Sequence, residues 1–515
     1  MIKKFLIINI CMRSKIAEAL YLNARKFPQK EAIWCDGRSM TYTEMASLTS
    51  RYSQLLLRLG AVKGDHIGIP MNNSIESVAL FFSAADLGLC LVPLNPTLPF
   101  QSIEAAMEAG DVKHVIARKA FFQNCERNGG LRLEGFSVCL NAEHEGAVSF
   151  AQISQMPDER PETPDIDGGE SFILTMTSGS TGSPKPIDIS QDNKYERVWA
   201  HVEAYHITER DRVLAATPLY HSLAERLVIM PLMIGATSVL LPRYTTRLWL
   251  ECVKRQRVSF TIAVSAQLAH VLDMMNADPS LDIDSFRCIV SSSALLDESV
   301  KLALIDKLKC EFHEMYGTSE TSTATDICFQ TARGKQKSVG TPFAEAHLRI
   351  LRDDLSACRT GEVGEIAVKS PLTCKGYYKK QELMDAATCD GYFRTGDLGY
   401  LDSDGYLYFA GRKKELIITG AVNVYPNDID QIVSRLDGVS ECAAFAYPDR
   451  HLGEVVALAI VRMPGAELSA RSVQAYCARH LADFQQPHLL FFVDELPKNG
   501  MGKLQRHKII ESVKV

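Results

Sequence analysis

Fourteen cysteines are spread over the 515 residues, yet none stands in a C-x-x-C pair and none shares zinc-type spacing with histidine. A disulfide framework and a locally encoded metal finger are both excluded, and reduced thiols in a cytoplasmic compartment are expected. Basic tracts are missing as well. Lys and Arg number 56 against 62 Asp and Glu, for a net charge of −6. Nothing is present to neutralise a phosphate backbone, so nucleic acid is excluded as the main partner. No apolar run suits a bilayer. Residues 77–94 are broken by Asp86 and Pro93, while 227–236 are few and contain Pro231, so no integral membrane association is expected. Repeats and low-complexity segments are absent. At the start, Lys3-Lys4 and residues 5–8 imitate a signal sequence. Asn9 interrupts the short apolar core, however, and Arg13 and Lys15 follow without a cleavage site. Residues 1–11 therefore read as a disordered extension ahead of a second possible start at Met12.

What is there is enough for a large core: 46% of positions are hydrophobic, and the length suits about three folding units. The first half alternates strand and helix patterns. A helix is expected over 75–85, with Ile75, Val78, Ala79 and Phe82 on one face, then a strand over 89–92 that ends at Pro93. Short apolar strands are expected at 213–216, 237–241, 260–264 and 288–291, separated by helices such as 246–256 and 297–309. That alternation implies parallel sheets covered by helices. The acidic, Pro-rich stretch 156–169 reads as a surface loop. After about residue 340 short strands at 365–368, 399–401 and 407–410 are joined by Gly and Asp turns, the sign of a small β-rich subdomain. Beyond Arg412 a compact α+β unit follows. Pro426 sits in a helix first turn, Ile429, Ile432, Val433 and Leu436 share a face, and strands are expected at 442–447, 455–462 and 489–493, with a helix at 470–481. The expected fold class is α/β: a large N-terminal domain (12–413) of helix-covered sheets with a small β-barrel-like subdomain, plus a small mobile α+β C-terminal domain (414–515).

The densest chemical signal is Thr177-Ser178-Gly179-Ser180-Thr181-Gly182-Ser183-Pro184-Lys185, which follows an apolar strand expected over 172–176. Small and hydroxyl residues let backbone N–H groups converge on an anion, and a lysine ends the run, a combination suited to a phosphate chain. It is not the P-loop pattern, since Pro184 precedes the lysine and Pro186 follows it.

From this point the chain resembles the adenylate-forming superfamily, which includes acyl- and aryl-CoA synthetases, peptide-synthetase adenylation domains and beetle luciferases. The resemblance runs in the family's order from about Ser14 to Val513. Residues 40–45 (Met-Thr-Tyr-Thr-Glu-Met) and 85–96 look like its early structural motifs. Pro218-Leu219-Tyr220-His221 is similar to the segment before the acyl pocket, and Tyr316-Gly317-Thr318-Ser319-Glu320 to the Tyr-Gly-x-x-Glu signature. Residues 392–396 with Asp397, and Gly411-Arg412-Lys413-Lys414-Glu415, resemble the nucleotide and hinge motifs. Leu496-Pro497-Lys498-Asn499-Gly500-Met501-Gly502-Lys503 resembles the C-terminal lysine loop.

The resemblance implies ATP, Mg²⁺ and CoA as co-reactants and a carboxylic acid activated as acyl-AMP, a task of positioning and charge neutralisation at the α-phosphate. It implies that Ser178, Thr181 and Lys185, with the Thr177, Gly179, Ser180 and Gly182 backbone, hold the leaving phosphates. Glu320 would hold Mg²⁺, and Thr318 would bond near the α-phosphate. Tyr316, Gly317, Ser292, Ser293 and Ala294 would border adenine. Asp397 would accept both ribose hydroxyls, with Arg412 beside it. Lys503 would bridge acid and α-phosphate in the first half-reaction. Lys414 takes the hinge position, about which the small domain would swing to bring Gly420 toward a thiol channel. Ala421 departs from the family's usual second glycine there, Pro186 from a frequent glycine, and Gln191 from a common histidine.

His221 fits a wall of the acid pocket, otherwise expected from 221–227, 264–267, 291–295 and 319–323. The Phe-Asp pattern for an α-ammonium group is lacking, so an α-amino acid is disfavoured. Glu225-Arg226 is unusual where relatives are mostly apolar; either one residue meets a polar group of the acid, or the two form a surface or intrahelical ion pair. The expected activity is an AMP-forming acid–CoA ligase. A stand-alone enzyme loading a carrier protein in trans is the alternative within the class, with a luciferase-type oxygenase behind it. A non-catalytic nucleotide-binding relative is the alternative from outside it.

Overall fold

The computed structural model describes residues 13–178, 184–281, 283–419, 422–498 and 503–513, the side chains of Phe150, Thr177 and Ser178 excepted. The expected extension at 1–11, the loop residues Gly179, Ser180, Thr181 and Gly182, and Gly420 with Ala421 lie outside the described residues.

Two large sheets carry the first part of the chain. The nine-stranded sheet runs Thr341–Pro342, Ser322–Cys328, Glu311–Thr318, Cys288–Ser292, Phe260–Val264, Arg212–Ala215, Thr237–Leu240, Glu31–Cys35, Arg38–Thr41. Its inner strands, from Glu311–Thr318 across to Glu31–Cys35, pair in parallel. The eight-stranded sheet centres on Ser171–Ser178, Cys90–Leu94, His66–Pro70 and His114–Ala117. Between the sheets lie helices whose apolar residues join both in one core. Here the expected one-faced helix differs from the observed one. In Ile75–Leu87 every residue except Glu76 is buried, and Ser222–Ile234 is buried from Leu223 onward. A helix held between two sheets has no solvent face, so its apolar positions run all round.

The strand expected to stop at Pro93 continues through it. Cys90–Leu94 pairs in parallel with His66–Pro70, Ile69 opposite Pro93. The 156–169 stretch is also less loose than expected. Met156 and Ile166 are buried, and Arg160 forks onto the Asp86 carboxylate (2.6 and 3.1 Å) and reaches Glu18 at 2.6 Å.

The small β-rich subdomain is a five-stranded antiparallel sheet. His347–Leu351, Gly364–Lys369, Tyr392–Leu401 and Thr388–Cys389 follow in order, and Leu407–Arg412 pairs with Tyr392–Leu401. Beyond Arg412 the chain forms a fourth sheet around the Val439–Asp449/Gly453–Arg462 hairpin. Helices Pro426–Val433 and Ala470–His480 cover it, with Ile429, Val433, Val473 and Cys477 inside its core. Leu436 falls past the end of its helix but packs against the same core.

Glu225 and Arg226 are neither at the surface nor paired with each other. Glu225 is fully buried and meets Lys194 at 2.5 Å. Arg226 donates to His201 Nε2 (2.8 Å) and Ser322 Oγ (3.0 Å). Both partners' helices belong to the core, so the sequence expectation of an exposed pair is corrected: charge here is satisfied inside. Burial drives the Lys194 pKa down, opposed by Glu225. Breaking such a pair by deleting one member strands the other charge, at a cost of about 3–5 kcal/mol. Glu225→Ala is therefore expected to lower unfolding free energy by that amount in urea denaturation, and Arg25→Ala, at an exposed pair, by less than about 1 kcal/mol.

Candidate active site

Two side-chain groups assemble at the carboxyl ends of the parallel strands, the place where open α/β sheets bind ligands. The first gathers around Asp397. Tyr392–Leu401 and Leu407–Arg412 are antiparallel, and the register sets Asp397 opposite Arg412. Arg412 Nε lies 3.5 Å from Asp397 Oδ1. The Tyr316 hydroxyl, from the Glu311–Thr318 strand, donates to Asp397 Oδ2 at 2.9 Å. Burial raises the Asp397 pKa, while Arg412, Tyr316 and Lys503 work against the rise. Asp397 thus sits mid-strand, and three positive or donating groups from separate segments oppose the effect of its burial.

Lys503 enters the same electrostatic neighbourhood from the last segment of the chain. Burial lowers its pKa to about 8, with Arg412 adding to the shift and Asp397 and Glu415 opposing it. The lysine expected to meet the phosphate is brought to the carboxylate expected to meet the ribose, although 106 positions (503 − 397) separate them.

The second group gathers around Glu320, just past the end of the same strand. Glu320 Oε1 accepts the Tyr377 hydroxyl at 2.9 Å. Its backbone carbonyl accepts from Arg197 (2.9 Å) and from the Cys374 amide (2.7 Å). Lys185 lies over the Tyr377 ring, 6.0 Å from its centroid, on a strand (Pro184–Ser190) that pairs Lys185 with Thr177. The phosphate-loop lysine and the candidate metal carboxylate therefore share one tyrosine. Thr318 and Thr321 close the turn between them, the Thr321 amide donating to Thr318 Oγ1 at 3.2 Å and the Thr318 amide to Thr321 Oγ1 at 3.1 Å. Gly317 is required here: a Cβ would stand 1.8 Å from the Ser322 carbonyl oxygen.

Ser292, Ser293 and Ala294 leave the end of the Cys288–Ser292 strand with Ser293 at φ 77°, a left-handed conformation unusual for serine. Two contacts hold this turn. Ser265 Oγ donates to the Ala294 carbonyl at 2.5 Å, and buried Glu314 accepts the Leu296 amide at 3.0 Å while pairing with Lys301 at 2.5 Å.

His221 stands apart from both groups, as the N-cap of Ser222–Ile234. Its Nε2 is buried and has no hydrogen-bond partner among the described residues, and burial lowers its pKa to about 4, which makes it a neutral ring at physiological pH. Beside it, a cavity of about 460 Å³ is lined by Thr217, Tyr220, Arg243, Val264, Gln267 and His270.

Lys414 is exposed in the short 3₁₀ turn Lys413–Glu415. Its neighbours are tied in opposite directions. Lys413 pairs with Asp353 (2.8 Å) and Glu365 (3.2 Å) of the β-rich subdomain, and Glu415 with Arg506 (3.2 Å) near the C-terminus. Sequence reasoning missed Lys413, Tyr377, Arg197, Glu314 and Lys301. Only the charged run Lys413-Lys414-Glu415 carried a local hint.

A buried carboxylate, arginine and tyrosine near the strand ends, with Lys503 in the same electrostatic neighbourhood, are the groups expected of an adenylate-forming enzyme. Comparison with known proteins agrees. The model of AMP-binding enzymes matches residues 20–378, and that of the AMP-binding enzyme C-terminal domain matches residues 428–503. The chain belongs to the AMP-binding enzyme family, among the acyl- and aryl-CoA synthetases of the adenylate-forming superfamily. It is 28% identical over 505 residues to an indoleacetate–CoA ligase of Aromatoleum aromaticum, covering 97% of this chain and 98% of that one. It is 29% identical over 470 residues to the long-chain-fatty-acid–CoA ligase FadD13 of Mycobacterium tuberculosis, covering 90% and 91%. Among solved structures, ATP-bound MatB from Rhodopseudomonas palustris superposes with TM-score 0.89 at 25% identity over 98% of this chain and 99% of that one. MenE of Bacillus subtilis with its acyl-adenylate gives 0.85 at 26%, over 95% and 97%.

The lowered Lys503 pKa has a signed consequence. The cation is present below pH 8 and lost above it, so a step that needs the charge weakens as pH rises. We expect kcat/KM for adenylate formation, followed by ATP–pyrophosphate exchange, to fall about tenfold per pH unit above pH 8. A profile flat to pH 10 would contradict that dependence.

Proposed function

We propose that the Asp397 and Glu320 groups form one catalytic site for the AMP-forming ligation of a carboxylic acid to CoA. The observation that carries the reading is the convergence of Lys503 on Asp397 and Arg412. The reaction has two halves. A carboxylate oxygen attacks the α-phosphorus of ATP, the bond to the β-phosphate bridging oxygen breaks, and pyrophosphate leaves. The CoA sulfur then attacks the acyl carbon, its proton passes to solvent, and AMP leaves.

Each residue's part follows from its chemistry. Asp397 accepts from the ribose hydroxyls with the lone pairs that Tyr316 leaves open. Lys503 spreads positive charge between the attacking carboxylate and the α-phosphate. Lys185 and the 177–182 loop take the outgoing phosphates, and Ser292, Ser293, Ala294 and Gly317 offer backbone against the adenine. Thr318 presents a hydroxyl toward the α-phosphate. Glu320 suits Mg²⁺: Tyr377 occupies one carboxylate oxygen, and the other remains for an ion that takes few protein ligands and keeps water and phosphate oxygens. That ion would neutralise triphosphate charge. Arg197 and Cys374 fix the Glu320 backbone and so aim the carboxylate.

The acid is assigned to the cavity beside Tyr220 and the neutral His221. Val264 and Gln267 line it, whereas Glu225 and Arg226 are turned to other partners, Glu225 to Lys194 and Arg226 to His201 and Ser322. Lys414 is the pivot between units 12–413 and 414–515, since Lys413 is anchored on one side and Glu415 on the other. Gly420 would approach the thiol after rotation. The described cysteines are all free thiols, and no described helix is long and apolar enough to cross a membrane. The free thiols support a cytoplasmic compartment.

Hydroxylamine trapping across aliphatic, aryl and dicarboxylic acids identifies the acid. CoA-dependent AMP release, compared with transfer to carrier proteins, identifies the acceptor. Lys503→Ala is expected to lower adenylate formation by at least about 10²-fold while chemically supplied acyl-AMP still reacts with the thiol. Equal loss in both half-reactions would refute the role given to Lys503.

A further inference from the structure

A second cluster lies at the opposite, amino-terminal ends of the strands that carry the site. Cys288 opens Cys288–Ser292, and Glu311 opens the parallel neighbour Glu311–Thr318, which also carries His313. The register places Cys288 directly beside Glu311, and Glu311 and His313, two residues apart, share a face. Candidate ligand atoms of Cys288, Glu311 and His313 all lie within 4.8 Å of one another.

The histidine is oriented as a ligand would be. His313 is 7% exposed. Its Nδ1 lies 2.8 Å from Asp326 Oδ2, and the other Asp326 oxygen accepts the Tyr205 hydroxyl at 2.8 Å. A carboxylate on Nδ1 fixes the proton there and leaves Nε2 as a bare lone pair. Among the described residues that buried Nε2 has no hydrogen-bond partner, and it lies 4.0 Å from Glu311 Oε2. A buried, unsatisfied acceptor costs free energy unless something fills it, and carboxylate–histidine–metal chains are the common arrangement around bound zinc.

We propose that Cys288, Glu311 and His313 bind a divalent zinc ion, with Asp326 orienting the histidine and solvent completing the tetrahedron on the exposed Glu311 side. One thiolate, one carboxylate and one neutral imidazole suit a borderline-soft cation and balance its two charges. The Cys288 thiol proton is released to solvent on binding. Bonds of about 2.0–2.3 Å require the ligand atoms to close to within roughly 3.3–3.8 Å of each other; the exposed Glu311 side chain can move to meet the ion, and Cys288 and His313 close by rotamer adjustment. The ion would clip two neighbouring strands at the end remote from Ser292 and Tyr316. It is distinct from Mg²⁺ at Glu320, which offers oxygen alone.

The full-length protein, stripped of metal by chelation, would be titrated with Co²⁺ and followed by absorbance. One equivalent is expected to produce a thiolate-to-cobalt charge-transfer band in the near ultraviolet, and Zn²⁺ should displace it and raise the melting temperature. Cobalt at Glu320 would give no such band. Cys288→Ser should abolish the band, and Glu311→Gln and Asp326→Asn should each weaken affinity at least tenfold. Cys358→Ser, elsewhere on the protein, should keep it. If Cys288→Ser does not fold, Glu311→Gln at the exposed position decides. No band in the wild type, a band that persists in folded Cys288→Ser, or unchanged affinity in Glu311→Gln would overturn the site.

Discussion

One buried carboxylate draws three parts of the molecule together. The role proposed for Asp397, accepting ribose hydroxyls, needs a carboxylate, yet its place within a sheet penalises the charge. Arg412 from the paired strand, the Tyr316 hydroxyl from the nine-stranded sheet and Lys503 from the last described segment work against that penalty. Each contributor arrives from a different structural unit. The charge therefore doubles as a latch: it is best satisfied when the β-rich subdomain, the large sheet and the C-terminal unit are all in place. Lys503 also bears a cost, since its cation is desolvated in the same neighbourhood. A lysine destabilised as a cation before substrate arrives gains the more when a phosphate replaces the missing solvent.

Behind Glu320 the same principle works without solvent. Lys194, Arg197, His201, Glu225 and Arg226 form a polar layer between two core helices, and its outer members reach the backbone of the site. Arg197 bonds both the Glu320 and the Leu372 carbonyls. His201 has its pKa driven well down by burial and Arg226, so it accepts rather than repels the guanidinium. Buried ion pairs contribute little net stability against an apolar alternative but are costly to break. Here that rigidity lies directly behind a carboxylate that must point in one direction.

Much of this was legible along the chain. Strand–helix alternation gave the α/β class because burial on two faces leaves a period that sequence displays. The helix 246–256 has its expected bounds, because a Thr245 cap and an amphipathic stripe are local signals. The helix 75–87 was found but its environment was not, since a helix with no solvent face loses the polar stripe that reports orientation. The strand through Pro93 was cut short because proline's missing donor matters only on the side where a neighbour needs it. Glu225-Arg226 misled for a related reason: adjacent charges usually mean solvent, and only partners 25 or more positions away can reverse that.

Sequence by itself determined the order of the motifs, the residue types at the candidate phosphate loop, and the choice of Asp397, Glu320 and Lys503 as the proposed chemical set. These are covalent facts, and each residue type brings its chemistry wherever it stands. Tertiary structure alone decided what each faces. It joined Lys185 to Glu320 through Tyr377, set Lys413 and Glu415 pulling on either side of Lys414, and placed Cys288 beside Glu311 and His313 where no linear spacing links them. Scattered cysteines looked uninformative in one dimension because strand register, and not chain distance, sets which side chains meet.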